Sequence, residues 1–474
     1  MTISRLSNQA RTHLERVRAH YEKGMGLTKA AESYREILAT YYNLLISPSA
    51  SVLEIGCGAG DLLARLSAAT KTGVDLSGAQ IRLAKEKAPA ARLFAQAAEE
   101  LDLPGQTFDY IVISETINFA ADVQLLFEKL REVSNSETRL IVNIYNLLWR
   151  PIIALGTALG LRNRQPESNW LSKHDVAGLL HLTRWEVIRH EPRIIFPMKL
   201  FGAEKVLNRL IAPLAAPLCL SLFTIARPAP DKRMAQKTVS VVVPARNESG
   251  NIQAVVSRTP EMGVWTELIF VEGNSKDNTW EEIQRVKKAY PGKRIKILQQ
   301  GGKGKGDAVR DGFAVADGEL LMILDADLTM PPEELPKFYE AVVSGQCEFA
   351  NGSRLVYPMD DHAMRFLNLC GNKAFSILFS WLLGQPVKDA LCGTKVLTKK
   401  SYEHIAANRS YFGEFDPFGD FDLLFGASKL NLKILDIPIR YKERVYGETN
   451  IQRWKHGWLL LQMVVFAALK LKFV

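Results

Sequence analysis

Ser51-Val-Leu-Glu-Ile-Gly-Cys-Gly-Ala-Gly60 decides how the first half of this 474-residue chain is read. A short apolar run feeding a turn with glycine at 56, 58 and 60 is a buried strand entering a sharp bend. Without β-carbons, the backbone there can turn tightly and come close to a ligand. A dinucleotide site asks for G-x-G-x-x-G, and position 61 is Asp61, so a pyrophosphate grip is disfavoured. Nineteen residues after Gly56 a second apolar run ends at Asp75, where a carboxylate can accept both hydroxyls of a ribose.

Outward from that turn, β-type runs at 52–55, 72–75, 109–113 and 140–144 alternate with helical stretches, the pattern of a doubly wound α/β sheet. Residues 1–50 read as an introductory helical segment ending at Pro48. Residues 146–200 break the rhythm with prolines and an amphipathic apolar stretch, and are expected to form a cap or substrate-facing insertion. A closing strand is expected at 218–225. Arg227-Pro-Ala-Pro-Asp-Lys-Arg-Met-Ala-Gln-Lys237 is short, charged and proline-bearing, and reads as a linker. The alternation then restarts at 238–243, 267–271, 294–298 and 319–324. The expected organisation is a helical segment at 1–50, a first domain at 51–226, a linker at 227–237, a second domain at 238–450 and an amphipathic helix at 451–474.

Bulk properties agree with two folded domains. The chain is 47% hydrophobic and 23% charged, which leaves little room for disorder. Its net charge of +9 suits phosphate-rich ligands or an anionic membrane surface. It is too diffuse for nucleic acid, for which no recognition motif is present. Five scattered cysteines without a C-x-x-C pair read as reduced, buried thiols. The polar N-terminus carries no secretory signal, and the apolar runs at 149–161 and 458–469 are too short to span a bilayer. The expected location is cytoplasmic, peripheral to the inner face of the membrane.

The first half resembles the class I S-adenosylmethionine (SAM)-dependent methyltransferases over about residues 45–226. The acidic residue, spacer and G-x-G-x-G of that family match Glu54, Gly56, Gly58 and Gly60, and the acid ending its second strand matches Asp75. Glu99-Glu100-Leu101-Asp102-Leu103-Pro104 and Phe108-Asp109-Tyr110 are similar to the family's next strand region. The resemblance implies a Rossmann-like fold and SAM held by Glu54, Gly56, Gly58, Gly60 and Asp75. The acid that often contacts adenine in the family falls at Ala97. A glycine-rich turn alone could simply pack a helix closely; Glu54 and Asp75 raise this one above that. The residues name no acceptor base, and His174, His181 and His190 read as surface or core histidines.

The second half places polar groups at successive strand ends, where open α/β sheets bind ligands. Val239-Ser-Val-Val-Val-Pro-Ala-Arg-Asn-Glu-Ser249 and Val271-Glu-Gly-Asn-Ser-Lys-Asp-Asn-Thr279 supply acids and small polar groups. The glycines and lysines of Gly304-Lys-Gly-Asp-Ala-Val-Arg310 suit a diphosphate, and the fourth strand delivers Asp325-Ala-Asp327. Two carboxylates one spacer apart can hold a divalent cation through oxygen. A lone D-x-D is ordinarily a solvated turn; fourth in this ordered set, it reads as a metal site.

These residues resemble the inverting glycosyltransferase family 2, of GT-A fold, and within it the polyprenyl-phosphate sugar synthases, over essentially all of 238–474. The resemblance implies that Pro244, Arg246, Glu248, Glu272 and Ser275 line a nucleoside pocket. It places Lys305 and Asp307 near the donor, and Asp325 and Asp327 at ribose and at Mg2+ or Mn2+. Asn351-Gly-Ser-Arg354, Asp389-Ala-Leu-Cys-Gly-Thr-Lys395, Gly419-Asp-Phe-Asp422 and Arg444-Val-Tyr-Gly-Glu-Thr-Asn450 match later family blocks. Glu272-Gly273 replaces the usual paired aspartates, and Thr329 stands where glutamine is common. A nucleotide-sugar donor and a polyprenyl phosphate acceptor are therefore expected. The acceptor arrives as an oxyanion and needs cations: Arg354, Arg365 and Arg444 are the phosphate candidates, with Arg440 and Arg453 read as surface charges. The alternative is a growing saccharide as acceptor, beside a first domain that only binds SAM. A saccharide requires a base, for which Asp389 or Asp420 would serve. The apolar helices at 375–383 and 458–469, the latter followed by Lys470 and Lys472, read equally as interfacial or as domain-packing elements.

Overall fold

The computed structural model describes residues 6–23, 27–166, 168–199, 201–230, 236–357, 366–411, 420–444, 446 and 453–474. The chain divides into two compact units, Met1–Ala229 with Lys472–Val474, and Pro230–Leu471.

The first unit is built on strands β1 (Ser51–Ile55), β2 (Thr70–Asp75), β3 (Arg92–Ala95), β4 (Tyr110–Ser114), β5 (Arg139–Tyr145), β6 (Trp185–Arg193) and β7 (Ser221–Pro228), in the spatial order β3-β2-β1-β4-β5-β7-β6. The first five are parallel, and β7 runs antiparallel to both of its neighbours. The order reverses at β1, so β1 and β4 diverge at their carboxyl ends and leave a crevice there. Helices α1 (Asn8–Tyr21) and α2 (Lys29–Leu45) precede the sheet. Next come α3 (Asp61–Arg65), α4 (Gly78–Lys87), α5 (Val123–Glu132), α6 (Arg150–Ala158), α7 (Lys173–Leu182) and α8 (Ala203–Val206).

Helix α2 belongs to the body of this unit. Tyr34, Leu38, Tyr41, Tyr42 and Leu45 recur at helical spacing and are buried with Val52, Leu63, Ile141 and Phe223. On the opposite face of the sheet, α5 and α7 contribute Leu126, Phe127, Leu130, Val176 and Leu180 to a second cluster. The stretch expected to be wholly an insertion contains strand β6, paired with β7 over its length. Arg227 and Pro228, read from sequence as the start of the linker, are the last two residues of β7. There Arg227 is buried and ion-paired to Glu186 at 2.7 Å. Linker residues 231–235 lie outside the described residues.

The second unit repeats the logic with β8 (Val239–Ala245), β9 (Thr266–Glu272), β10 (Arg294–Gln299), β11 (Leu320–Ile323), β12 (Phe349–Ser353), β13 (Lys395–Thr398) and β14 (Ile434–Pro438), ordered β10-β9-β8-β11-β13-β12-β14. Strands β10, β9, β8 and β11 are parallel, β13 is antiparallel to β11 and β12, and β14 pairs parallel with β12. Helices α9 (Ile252–Arg258), α10 (Thr279–Ala289), α11 (Gly304–Ala314) and α12 (Leu335–Val343) alternate with the strands. They are followed by α13 (Phe366–Leu383), α14 (Lys399–Ala407), α15 (Asp420–Lys429) and α16 (Arg453–Leu471). Valines 239, 241 and 243, Phe270 and Met322 form the core, so four strand ends meet along one edge of the sheet.

Helix α16 packs against α13 and buries Leu460, Met463, Val464, Ala467 and Ala468, while Trp458, Leu461, Val465 and Leu469 stay exposed. Lys472, which the interfacial reading of this helix would place at lipid headgroups, is buried in the first unit, 3.8 Å from Glu191. Among the described residues, no helix is long and apolar enough to cross a membrane.

Candidate active sites

In the first unit, β1 carries Glu54 to the crevice and the chain then turns through Gly56, with φ +70° and its N–H donating to Val74 O at 2.7 Å. A β-carbon at Gly56 would collide with Thr116; one at Gly58 (φ +52°) would meet only Gln80 and otherwise point into open space. Gly60 precedes α3. Asp75, at the end of β2, accepts from Gly58 N at 2.8 Å and from Ser77 N at 2.9 Å. Burial raises its carboxyl above the usual range, with these two donors opposing. Each oxygen keeps a lone pair for a ribose hydroxyl.

Glu54, Gly56, Gly58 and Asp75 line a cavity of about 660 Å³, whereas Gly60 does not. Leu14, Tyr21, Tyr34 and Arg35 of the N-terminal helices close over it, with Trp149, Ile153 and Gly156 of the segment after β5. Glu22 ties α1 to the start of α4, accepting from Gly78 N at 2.7 Å and Ser77 Oγ at 3.1 Å. Ala97 is buried and lines the cavity beside Gln96. Glu99 also lines the cavity and accepts from Ala121 N at 2.7 Å. Burial pushes the Glu54 carboxyl up to about 8, against the pull of Arg35.

Sequence reasoning missed Arg35 and Glu115. Glu115 directly follows β4 with φ +63°, a strained backbone for a non-glycine residue. Its Oε2 accepts from Arg35 Nη2 at 3.2 Å; its Oε1 is buried and accepts no hydrogen bond among the described residues. Both side chains line the cavity. The available signal was Arg35 itself, a charge set three, four and seven residues before Leu38, Ala39 and Tyr42 on the buried face of α2.

In the second unit, the β8 and β9 ends are laced together. Asn247 N donates to Ser275 Oγ at 3.0 Å, Ser275 N to Glu272 Oε1 at 2.6 Å, and Glu248 N to Thr279 Oγ1 at 3.0 Å. Pro244 and Arg246 flank this lacing at the end of β8. Past the end of β11, Asp325 is 2.7 Å from Lys305 Nζ, and a β-carbon at Gly393 would fall on both groups. Burial opposes ionisation of Asp325, and Lys305 outweighs it, holding the carboxyl below its ordinary range. Asp327 Oδ2 accepts from Arg444 Nη2 at 2.6 Å, and its Oδ1 from Thr329 Oγ1 at 2.8 Å. Arg444 also reaches Glu248 Oε1 at 3.2 Å, yet burial lifts the Glu248 carboxyl to about 7. The sequence candidates Glu248, Asp327 and Arg444 thus form one ion cluster, and Lys305 with Asp325 another. Asp307 sits apart in the first turn of α11, taken up by Lys303 N at 2.7 Å and by Arg310.

Arg354 and Asp389 are bonded to each other rather than poised for separate roles. Arg354 Nε and Nη2 donate to the two Asp389 oxygens at 2.7 and 2.9 Å. Asp389 is 1% exposed; burial works against its charge, and Arg354 more than offsets that, lowering its pKa. A carboxylate so held is a poor general base. Arg365 and the Asp420 side chain lie outside the described residues.

Comparison with known proteins agrees with this division. Residues 240–405 match the family model "Glycosyl transferase family 2", and residues 52–137 match the model "Methyltransferase domain". The chain joins a methyltransferase domain to a family 2 glycosyltransferase domain. The methyltransferase domain implies SAM as its cofactor. Over 221 residues the chain is 30% identical to the dolichol-phosphate mannosyltransferase of Pyrococcus furiosus, covering 45% of this chain and 59% of that protein. It is 40% identical over 109 residues to the dolichol-phosphate mannosyltransferase of Saccharomyces cerevisiae, covering 22% and 40%. The chain therefore spans about three fifths or less of these two relatives' lengths. Among solved structures, a SAM-dependent methyltransferase from Thermotoga maritima is similar at 16% identity and TM-score 0.34, covering 46% of this chain and 98% of that one. Glucosyl-3-phosphoglycerate synthase from Mycobacterium tuberculosis, solved with Mn2+ and UDP, is similar at 20% identity and TM-score 0.37, covering 50% and 80%.

Proposed function

We propose that the glycosyltransferase domain moves a sugar, with inversion, from a nucleotide-sugar to a polyprenyl phosphate, and that the methyltransferase domain acts on a related glycan or lipid intermediate. The observation that carries the acceptor reading is the Arg354–Asp389 pair. A saccharide hydroxyl would need a free base, and of the two candidates Asp389 is held on both oxygens by Arg354, while the Asp420 side chain lies outside the described residues. A phosphate monoester is already an oxyanion and asks only for cations to orient it; Arg444, now shared between Asp327 and Glu248, is the described candidate.

Asp325 and Asp327 offer hard oxygen donors at one strand end, the donor type a divalent metal takes, and the metal would take over the charge balance that Lys305 and Arg444 give these carboxylates. Bound there, Mg2+ or Mn2+ supplies neutralisation of charge on the departing nucleoside diphosphate. Lys305 beside Asp325 orients the diphosphate, and the β8 and β9 turns hold the nucleoside. In the other domain Asp75 takes the ribose, and the open space at Gly58 admits the ligand close to the backbone. SAM supplies an electrophilic methyl group, and Glu115 with Arg35 orients the acceptor. The exposed apolar face of α16 suits a peripheral membrane position.

Incubating the full chain with labelled nucleotide-sugars and a polyprenyl phosphate tests the reading. Label is expected in the lipid fraction and to vanish with chelator; transfer only to added saccharides would overturn it.

A further inference from the structure

Helix α6 is exceptional in the first unit because it buries none of its residues. Its inner side, Ile153 and Gly156, lines the methyl-transfer cavity. A helix in that position ordinarily turns a polar side to water. Here Leu148, Ile152, Leu155 and Leu159 follow one another at spacings of four, three and four residues and are all exposed, with Ile152 also reaching the cavity. The neighbouring stretch adds Leu214 and Leu218, and these six side chains are 53 to 71% exposed. The two stretches adjoin: Trp149 Nε1 donates to Leu218 O at 2.9 Å, and Asn146 Nδ2 to Pro217 O at 3.0 Å.

The exposed charges described on these two stretches are of one sign. Among the described residues of 146–172 and 201–218, the exposed charged side chains are Arg150, Arg164, Lys205 and Arg209. The one described acid, Glu204, is buried and accepts from Gly202 N at 3.0 Å. Branched apolar tips at helical spacing, accompanied on the same two stretches by exposed basic side chains and by no exposed acid among the described residues, match what an anionic bilayer offers: hydrocarbon to enter and negative headgroups above it.

We propose that this α6 face of the methyltransferase unit is a docking surface for an anionic lipid bilayer. It is distinct from α16, and it places the cavity beneath α6 against the lipid surface. The proposal does not require that the sugar acceptor be a polyprenyl phosphate.

Flotation of the full-length chain tests it, using phosphatidylcholine vesicles with or without about 30% phosphatidylglycerol. The wild-type chain is expected to float with the anionic vesicles and to be released by high salt. Leu155→Asp with Leu159→Asp, and independently Leu214→Asp with Leu218→Asp, should reduce the bound fraction about tenfold, with melting temperatures within about 2 °C of wild type because the side chains are exposed. Binding unchanged in both variants overturns the proposal, as does a wild-type chain that fails to float. If only Leu461→Asp with Val465→Asp on α16 abolishes flotation, the α6 surface is excluded while the sugar-transfer reading stands. A wild-type dimer without lipid, made monomeric by the α6 substitutions, assigns the face to a second copy and likewise overturns it.

Discussion

Asp327 holds three donors, from Arg444 and from the backbone and hydroxyl of Thr329, so its carboxylate is fixed before any ligand arrives. Replacing it by alanine removes an oxygen donor at the point where charge builds in sugar transfer. The expected loss is about 3 kcal/mol of transition-state stabilisation, roughly a hundredfold in kcat, with SAM affinity unaltered. Steady-state rates and calorimetry on Asp327→Ala check this; a rate near wild type in the presence of chelator excludes the assignment. In the other domain, Gly58→Val puts a branched side chain at φ +52° and into the ligand's space. SAM binding should disappear while sugar transfer persists; wild-type SAM affinity by calorimetry would show that the ligand lies elsewhere. Glu54 adds a pH signature. Its folded pKa is about 8 against 4.5 when unperturbed, so the folded state holds the extra proton between those values. Stability contributed by this group is present at low pH and falls as pH rises from about 4.5 to about 8. Glu54→Gln should therefore melt progressively higher than wild type across that window, and an offset independent of pH would contradict the burial argument.

At the scale of elements, the β6 edge shows what sequence left unread and why. Trp185-Glu-Val-Ile-Arg-His-Glu-Pro-Arg193 lacks the clean apolar run of a central strand. Its charges are compatible with burial because they neutralise one another: Glu191 lies 2.9 Å from Arg189 and 2.8 Å from Arg193, with Lys472 at 3.8 Å. Charges alternating along one strand face read from sequence as a solvated edge, and Lys472, the partner distant in sequence, leaves no local trace. Burial alone would raise the Glu191 pKa, and the three cations drive it well below the ordinary range. Burial pulls the Lys472 ammonium down to about 8, with Glu191 opposing. Glu191→Ala strands buried positive charge and should cost about 3–5 kcal/mol, read by denaturant unfolding of the methyltransferase unit. A change below about 1 kcal/mol would place the cluster among exposed, screened ion pairs. By contrast, β1, β8, β9 and β11 were legible because buried parallel strands carry continuous apolar runs. Helix α16 was half legible: its packed stripe and its exposed apolar stripe both follow helical spacing, so sequence could not choose between packing and an interface.

At the scale of the molecule, a glycine-rich turn at Gly56–Gly60 flanked by Glu54 and Asp75, and an ordered set of polar strand ends closed by Asp325 and Asp327, announced two α/β sheets, because strand-end chemistry is local in sequence. The site's pairings were not local. Arg354 with Asp389, Arg444 with Glu248, and Arg35 with Glu115 each join residues brought together only by the sheet order, and they redistribute the roles that the motifs suggested. The two chemistries should be separable: Gly58→Val silences one and Asp327→Ala the other, and a double variant should show no coupling beyond about 0.5 kcal/mol. The central claim, that the second unit glycosylates a lipid phosphate, is met most directly by one measurement. Labelled nucleotide-sugars are screened with the wild-type chain and a polyprenyl phosphate, with Asp327→Ala alongside, and the organic phase is counted. The expected result is label in the lipid phase for wild type alone, with at least one donor. Label confined to the aqueous phase across the whole screen, or equal lipid labelling by Asp327→Ala, would contradict it.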